Sequence, residues 1–263
     1  MTSANFFQQQ SKNNSHPPTM KHFGLIGNPL SHSLSKRLFD TRFSAQGDAM
    51  DYHLFQLPNM DNFRQWVIEN NLSGINVTIP FKIDVIPILD DLTPTAQAIG
   101  AVNCISIEDG RFVGHNTDAP AFKESLEPLL QPYHTSALIL GTGGASRAVG
   151  YALQLLGIDI LNVSRNPIGN QISYTDAIAN VQRHHLIINC TPVGMGHFQD
   201  DTPWNEPHLL TERHLCYDLI YNPAQTRFLR ESERQGAQTK NGEEMLTLQA
   251  QLSWKFWKIL QEK

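Results

Sequence analysis

From Lys21 onward, short apolar runs alternate with stretches whose apolar positions recur every three or four residues. The first pattern belongs to strands and the second to amphipathic helices, so their alternation predicts an α/β fold. HFGLIG (22–27) reads as a strand stopped by Gly27-Asn28-Pro29, and SLSKRLFDTRFSAQG (33–47) has helical spacing through Leu34, Leu38 and Phe43. YHLFQL (52–57) reads as a strand. NMDNFRQWVIENN reads as a helix capped by Asn59, with Phe63, Trp66 and Val67 on one face. GINVTI (74–79) is a strand ended by Pro80. NCISIE and RFVGHN flank Asp109-Gly110, a pair that favours a tight hairpin turn.

The second half opens differently. An amphipathic helix over 118–130 is followed by the breaker cluster Gln131-Pro132-Tyr133. Then come strand SALIL, glycine loop GTGGA, helix SRAVGYALQLLG and strand IDILNVS, the opening of a Rossmann-type unit. HLIINC (185–190) and LCYDLIY (215–221) are later strands. A long helix begins at Gly242, with Met245, Leu246, Leu248, Leu252, Phe256 and Leu260 on roughly one side. Between Ser164 and the strand-like QISY (171–174) only about six residues intervene, whereas a parallel crossover needs a dozen or more. The helix expected after the second Rossmann strand is therefore missing or reduced to a loop.

Composition narrows the classes. The chain is 40% hydrophobic and 17% charged with a formal charge of −5, which recommends neither nucleic acid nor an anionic membrane as partner. No apolar run approaches the roughly 18 residues that span a bilayer. Three scattered cysteines without a C-x-x-C pair fit a reducing, cytoplasmic setting. Eleven histidines lack the H-x-x-x-H and H-E-x-x-H spacings, so no metal site is expected. Residues 1–20, rich in Gln, Asn, Ser and Pro, read as a disordered tail.

The candidate chemistry starts at Gly141-Thr142-Gly143-Gly144-Ala145. A glycine-rich turn alone is often just a tight turn, but between a strand and a helix it lets a pyrophosphate lie on the helix N-terminus. Ser146 takes the third glycine position of G-x-G-x-x-G. The second strand ends in Ser164-Arg165 with no acid to receive a ribose 2′-hydroxyl, and Arg165 suits a 2′-phosphate instead, so NADP is favoured. In the first half, Ser33 and Ser35 offer hydroxyls to a carboxylate or serve as a helix cap. Asn76 and Thr78 share a strand face, and Lys82 follows the Pro80 break, where it can point into a cleft or into solvent. Asn103 and the Asn116-Thr117-Asp118 turn complete the set.

Taken in order, these segments resemble the shikimate dehydrogenase family. GNPLSHSLS is similar to the family's carboxylate-binding segment, INVTIPFK to its N-V-T-x-P-F-K signature, and GAVN and NTD to its next two blocks. GTGGASRA is similar to its nucleotide loop and DLIYNPAQTRFL to its late strand-and-helix motif. The resemblance implies an N-terminal α/β substrate domain (21–117, with 241–263 packing back on it) and a Rossmann-type NADP-binding domain (118–240).

It also implies NADPH-dependent reduction of 3-dehydroshikimate to shikimate by a cytoplasmic monomer or homodimer, with small molecules as its ligands. Lys82 and Asp118 would be catalytic and would also hold substrate hydroxyls. Ser33, Ser35 and Tyr221 would bind the carboxylate, and Thr78, Asn103 and Gln249 the ring hydroxyls or reacting oxygen. Gly141, Thr142, Gly143, Gly144 and Ala145 would cradle the pyrophosphate, Ser164 and Arg165 the 2′-phosphate. Leu219 and Gly242 would meet the nicotinamide end. Three positions depart from the family pattern: Lys36 replaces a proline, Glu244 a glycine, and Pro167-Ile168-Gly169 supply no second basic residue. A quinate/shikimate dehydrogenase using NAD, or a non-catalytic ligand-binding member of the fold, are the alternatives.

Overall fold

The computed structural model describes residues 20–31, 33–46 and 49–261. The expected tail, 1–20, lies outside the described residues but for Met20, as does the side chain of Leu260. Two sheets organise the chain.

The first sheet holds β1 (Lys21–Gly27), β2 (Met50–Gln56), β3 (Leu72–Val77), β4 (Asp91–Leu92), β5 (Cys104–Glu108) and β6 (Arg111–His115), in the order β2-β1-β3-β5-β6-β4. β1 pairs parallel with β2 and β3, and β5 runs antiparallel to both β3 and β6. The β5–β6 hairpin turns at Asp109 and Gly110, both at positive φ (49° and 76°), as their sequence predicted. Helices α1 (Ser35–Gln46), α2 (Phe63–Glu69) and α3 (Pro94–Ile99) accompany this sheet. Phe23 and Leu25 pack with Phe39, Phe43 and Tyr52 on one face, and Ile26 packs with Phe63, Val67 and Ile75 on the other. Burial on both faces explains why β1 reads as an almost unbroken apolar run. The cap expected at Asn59 is not there. Its Oδ1 accepts the Asp61 N–H one turn early, and α2 starts after Asn62, which sits at φ 52°.

The second sheet is parallel throughout. It holds β7 (Ser136–Leu140), β8 (Asp159–Val163), β9 (Leu186–Asn189), β10 (Leu215–Asp218) and β11 (Gln238–Lys240), in the order β11-β10-β9-β7-β8. Helices α4 (Asp118–Leu126), α5 (Gly144–Leu155), α6 (Tyr174–Asn180) and α7 (Arg227–Arg234) belong to this half. The chain leaves β7 toward β8 and returns on its other side to β9. The crevice above β7 and β9 is thus a topological switch point, where open α/β sheets bind ligands.

The helix expected to be missing after β8 is present: the crossover from β8 to β9 carries α6. QISY is not a strand. Ile172 makes a single parallel bridge to Val163, and Ser173 with Asp176 forms a reciprocal capping box that starts α6.

The last helix, α8 (Glu243–Gln261), lies against both halves. Met245, Leu248 and Leu252 pack on the cluster of Phe122, Ile139 and Tyr217, whereas Ala250, Trp254 and Trp257 join Phe23 and Phe39. The single apolar stripe read from sequence is thus two faces, and Leu246 and Phe256 are only half-buried. The Trp257 indole lies on Gly74, where a Cβ would stand 2.7 Å from the ring, and its Nε1 donates to the Ile105 carbonyl at 2.8 Å. Trp257→Ala should therefore cost ~3–5 kcal/mol of stability, read as a lower urea midpoint with an unchanged slope. A midpoint equal to the parent's would show that α8 is not anchored by this ring.

Candidate active site

Three chain segments converge at the end of the first sheet where β3 and β6 finish and the antiparallel β5 begins. Lys82 follows β3, held by its carbonyl accepting the Val102 N–H at 2.8 Å, with Phe81 and Val85 buried on either side. Asp118 opens α4, where the helix N-terminus favours a negative charge. The Lys82 ammonium reaches Asp118 Oδ2 at 2.6 Å, with the two side chains 14% and 7% exposed. Asn103 Nδ2 donates to Asp118 Oδ1 at 2.8 Å, while Asn103 Oδ1 accepts the Thr117 N–H at 2.7 Å.

Behind this pair runs a buried polar chain that the sequence did not reveal. Asn76 Nδ2 donates to Ser253 Oγ at 2.9 Å and to the Asn103 carbonyl at 3.2 Å. The Tyr52 hydroxyl donates to Asn76 Oδ1 at 2.9 Å, and Thr117 and Ser253 hydroxyls meet at 3.2 Å. Tyr52 reads only as a strand residue and Ser253 stands between Leu252 and Trp254 in a helical run, so neither signalled a buried polar role. Asn116 joins from the side, Nδ2 donating to the Ala101 carbonyl and Oδ1 accepting from Ala119.

The carboxylate candidates gather across the gap between the halves. Ser35 starts α1, and its N–H donates to Ser33 Oγ at 3.3 Å in a local turn just ahead of the helix. The Tyr221 hydroxyl, arriving from beyond β10, also faces Ser33; burial pushes its phenol up, with Leu34 and Ser33 opposing the rise. Thr78 is half-buried, its N–H on the Ile26 carbonyl. Gln249 is not drawn into the polar chain, since its amide donates to Leu246 of its own helix at 3.0 Å.

The glycine loop lies directly beside Lys82. A Cβ on Gly144 would stand 2.7 Å from the Lys82 Cβ, while nothing lies within 4 Å of one on Gly143. Gly141 has φ 109° and abuts Thr191 at the end of β9. Thr142 is exposed and Ala145 half-buried at the start of α5. Ser146 turns its hydroxyl back to the Gly143 carbonyl at 2.7 Å, so it fits where a third glycine was expected. Arg147, another residue missed in the sequence, donates to the Gly100 carbonyl at 2.9 Å and ties the loop to the end of α3. These observations fit a dinucleotide: open backbone at a helix start, a switch point, and a glycine cradle that side chains would fill. Ser164 Oγ accepts the Asn166 N–H at 3.2 Å beside the exposed Arg165. Gly242 is pressed on β10's exit, where a Cβ would meet the Leu219 carbonyl at 2.0 Å.

Residues 25–105 match the family described as shikimate dehydrogenase substrate binding domain. The NADP(+) shikimate dehydrogenase of Symbiobacterium thermophilum is 35% identical over 257 residues, covering 89% of this chain and 87% of the relative. The chain belongs to the shikimate dehydrogenase family. The corresponding enzyme of Desulforamulus reducens is 36% identical over 262 residues, covering 89% and 88%. The Thermus thermophilus shikimate 5-dehydrogenase, solved with NADP(H) and shikimate, is 32% identical with TM-score 0.79 and covers 90% of this chain and 93% of that one.

Two departures from the shikimate dehydrogenase pattern are accommodated locally. Lys36 donates to Asp40 and to the Tyr52 carbonyl, and Glu244 is ion-paired with Lys240. A further group, Asp218, was also missed. It is buried at the end of β10, where Oδ1 accepts from Asn189 at 3.0 Å and from the Ile220 N–H at 3.1 Å, and Oδ2 from Thr226 at 2.7 Å. Burial pushes its carboxyl up to about 7, with those three donors opposing the rise.

The folded protein therefore holds the Asp218 proton to higher pH than the unfolded chain, whose ordinary value is 3.8. That stabilisation is present below the unfolded value and is lost as pH rises through about 7. Urea unfolding at about pH 5 and about pH 8 should show the parent losing stability relative to Asp218→Asn as pH rises. A constant difference between the two proteins would mean that Asp218 does not titrate in this window.

Proposed function

We propose that this chain reduces 3-dehydroshikimate to shikimate with NADPH, reversibly, as the shikimate dehydrogenase of aromatic amino-acid biosynthesis. The observation that carries this reading is the Lys82–Asp118 pair packed against Gly144, which sets a cation and its carboxylate beside a dinucleotide cradle. Residues 21–117 with 241–263 form the substrate half and 118–240 the nucleotide half. The packing of Ala119 and Phe122 with Ala137 and Ile139 supports the division at 118.

When bound, the reduced nicotinamide supplies the hydride. Lys82 donates a hydrogen bond to the reacting carbonyl oxygen, stabilises the negative charge that develops there and delivers the proton. Asp118 holds the ammonium in place, and Asn103 in turn holds Asp118. Ser33, Ser35 and Tyr221 bind the substrate carboxylate through hydroxyls. Thr78 and Asn103 orient the ring, and Gln249 exchanges its bond to Leu246 for one to a substrate hydroxyl. Gly141 to Ala145 receive the pyrophosphate, and Leu219 and Gly242 flank the nicotinamide end. Ser164 and Arg165 take the 2′-phosphate.

The enzyme works in the cytoplasm as a monomer or homodimer. Free Cys104, Cys190 and Cys216 are consistent with a reducing compartment. Among the described residues no helix is long and apolar enough to cross a membrane.

The test is turnover of shikimate with NADP and with NAD, followed by nicotinamide absorbance, and then with quinate. Shikimate with NADP should be the best pair, by ~10- to 150-fold over NAD given one or two charge-assisted contacts. Arg165→Ala should raise KM for NADP and leave NAD kinetics nearly unchanged. Preference for NAD or quinate would replace this reading with the quinate/shikimate one, and absence of turnover would replace it with a binding protein.

A further inference from the structure

β1 and β2 bring together three metal-ligating side chains at the end of the first sheet remote from Lys82. The parallel register sets His22 opposite Asp51 and Gly24 opposite His53. Side chains alternate along a strand, so His22, Asp51 and His53 project from the same face. His22 Nδ1 lies 2.8 Å from Asp51 Oδ1, and His53 Nε2 lies 3.1 Å from Asp51 Oδ2. The three ligand atoms are all within 4.8 Å of one another. Side-chain exposures of 31%, 35% and 49% leave the cluster open to solution.

The arrangement has the composition and reach of a transition-metal site. Two imidazole nitrogens and one carboxylate suit Zn²⁺ and its neighbours, whereas Mg²⁺ and Ca²⁺ require mostly oxygen ligands. Tetrahedral coordination at ~2.0–2.1 Å places ligand atoms roughly 3.3 Å apart. The half-exposed His53 can close that difference by rotation, while His22 and Asp51 already meet across rigid neighbouring strands. Three protein ligands leave a fourth position to water, which makes the site exchangeable rather than a closed structural centre. The sequence spacing cannot show such a site, because its ligands come from strands paired only in the fold.

We propose that His22, Asp51 and His53 bind one late first-row divalent cation, Zn²⁺ in the first place, clamping the edge strand β2 to β1. The site is roughly 16 Å along β1 from the Gly27 end, at 3.3 Å per residue, so it acts on stability and not on hydride transfer.

The test uses the untagged full chain, stripped with a chelator and titrated with Zn²⁺ by calorimetry, beside His53→Gln and Asp51→Asn. The parent should take up one equivalent, both variants at least about tenfold more weakly, the scale of loss seen when even a metal's outer-shell partners are removed. Zn²⁺ should raise the parent's thermal midpoint and leave the variants' unchanged, Co²⁺ should give a visible band only in the parent, and Mg²⁺ should do neither. The remaining histidines are common to all three proteins, so the difference reports this cluster alone. No uptake by the parent, or equal uptake by parent and variants, overturns the proposal. Should one variant fail to fold, the comparison with the other decides.

Discussion

A carboxylate that keeps only 7% of its side-chain surface cannot stay charged without partners, because lost hydration costs several kcal/mol per ion even after relaxation. Asp118 has three compensations: the Lys82 ammonium, the Asn103 amide and the start of α4. Each comes from a different part of the chain. The end of β3, the approach to β5 and the first turn of α4 must therefore meet within hydrogen-bond distance, and this meeting fixes where the two sheets join. Removing either charge leaves the other buried and unpaired, so the pair is a structural requirement as well as a chemical instrument.

The polar chain behind it extends the same constraint. Asn103 is locked by Thr117, Thr117 touches Ser253, and Ser253 holds Asn76, which Tyr52 holds from the far side. A buried network of this kind is stable only when every member is satisfied. It recruits α8 to the floor of the site, and Trp254 and Trp257 fix that helix on the apolar side. On the nucleotide side the contact is steric. Gly144 lets the Lys82 stem lie against the loop, and Gly242 lets α8 begin on the Leu219 carbonyl. A side chain at either glycine would push apart the two halves that the ion pair draws together.

Much of the fold was legible because local signals agreed with global ones. GTGGA stood between a strand and a helix, and Asp109-Gly110 stood between two β-prone runs, whereas the helix read as missing after Ser164 is α6, hidden by taking QISY for a strand. The misreadings have physical causes. QISY carries strand-like residues, but a capping box built by Ser173 and Asp176 outweighs them. Asn59 was placed one turn early, since an Asx turn uses the same side-chain chemistry as a cap. The α8 stripe divided because the helix packs on two clusters, which no single period describes. In the site, Lys82, Asp118 and Asn103 stood out as polar residues at element ends. Gln249 was visible only through resemblance. Asp218, Asn189, Tyr52 and the histidines of β1 and β2 were silent, because their significance lies in partners that only tertiary register supplies.

The central claim is that Lys82 and Asp118 act as one unit, and a double-mutant cycle on kcat/KM for shikimate tests it most directly. Lys82→Ala alone should lose ~10²–10⁴-fold in activity while still binding NADP, as expected of a positioned acid–base group. Asp118→Ala should lose a large part of the same factor. The double variant should be no worse than the poorer single one, since groups that act as a unit are strongly non-additive. Losses that multiply in the double variant would contradict the account, because the two side chains would then be acting independently.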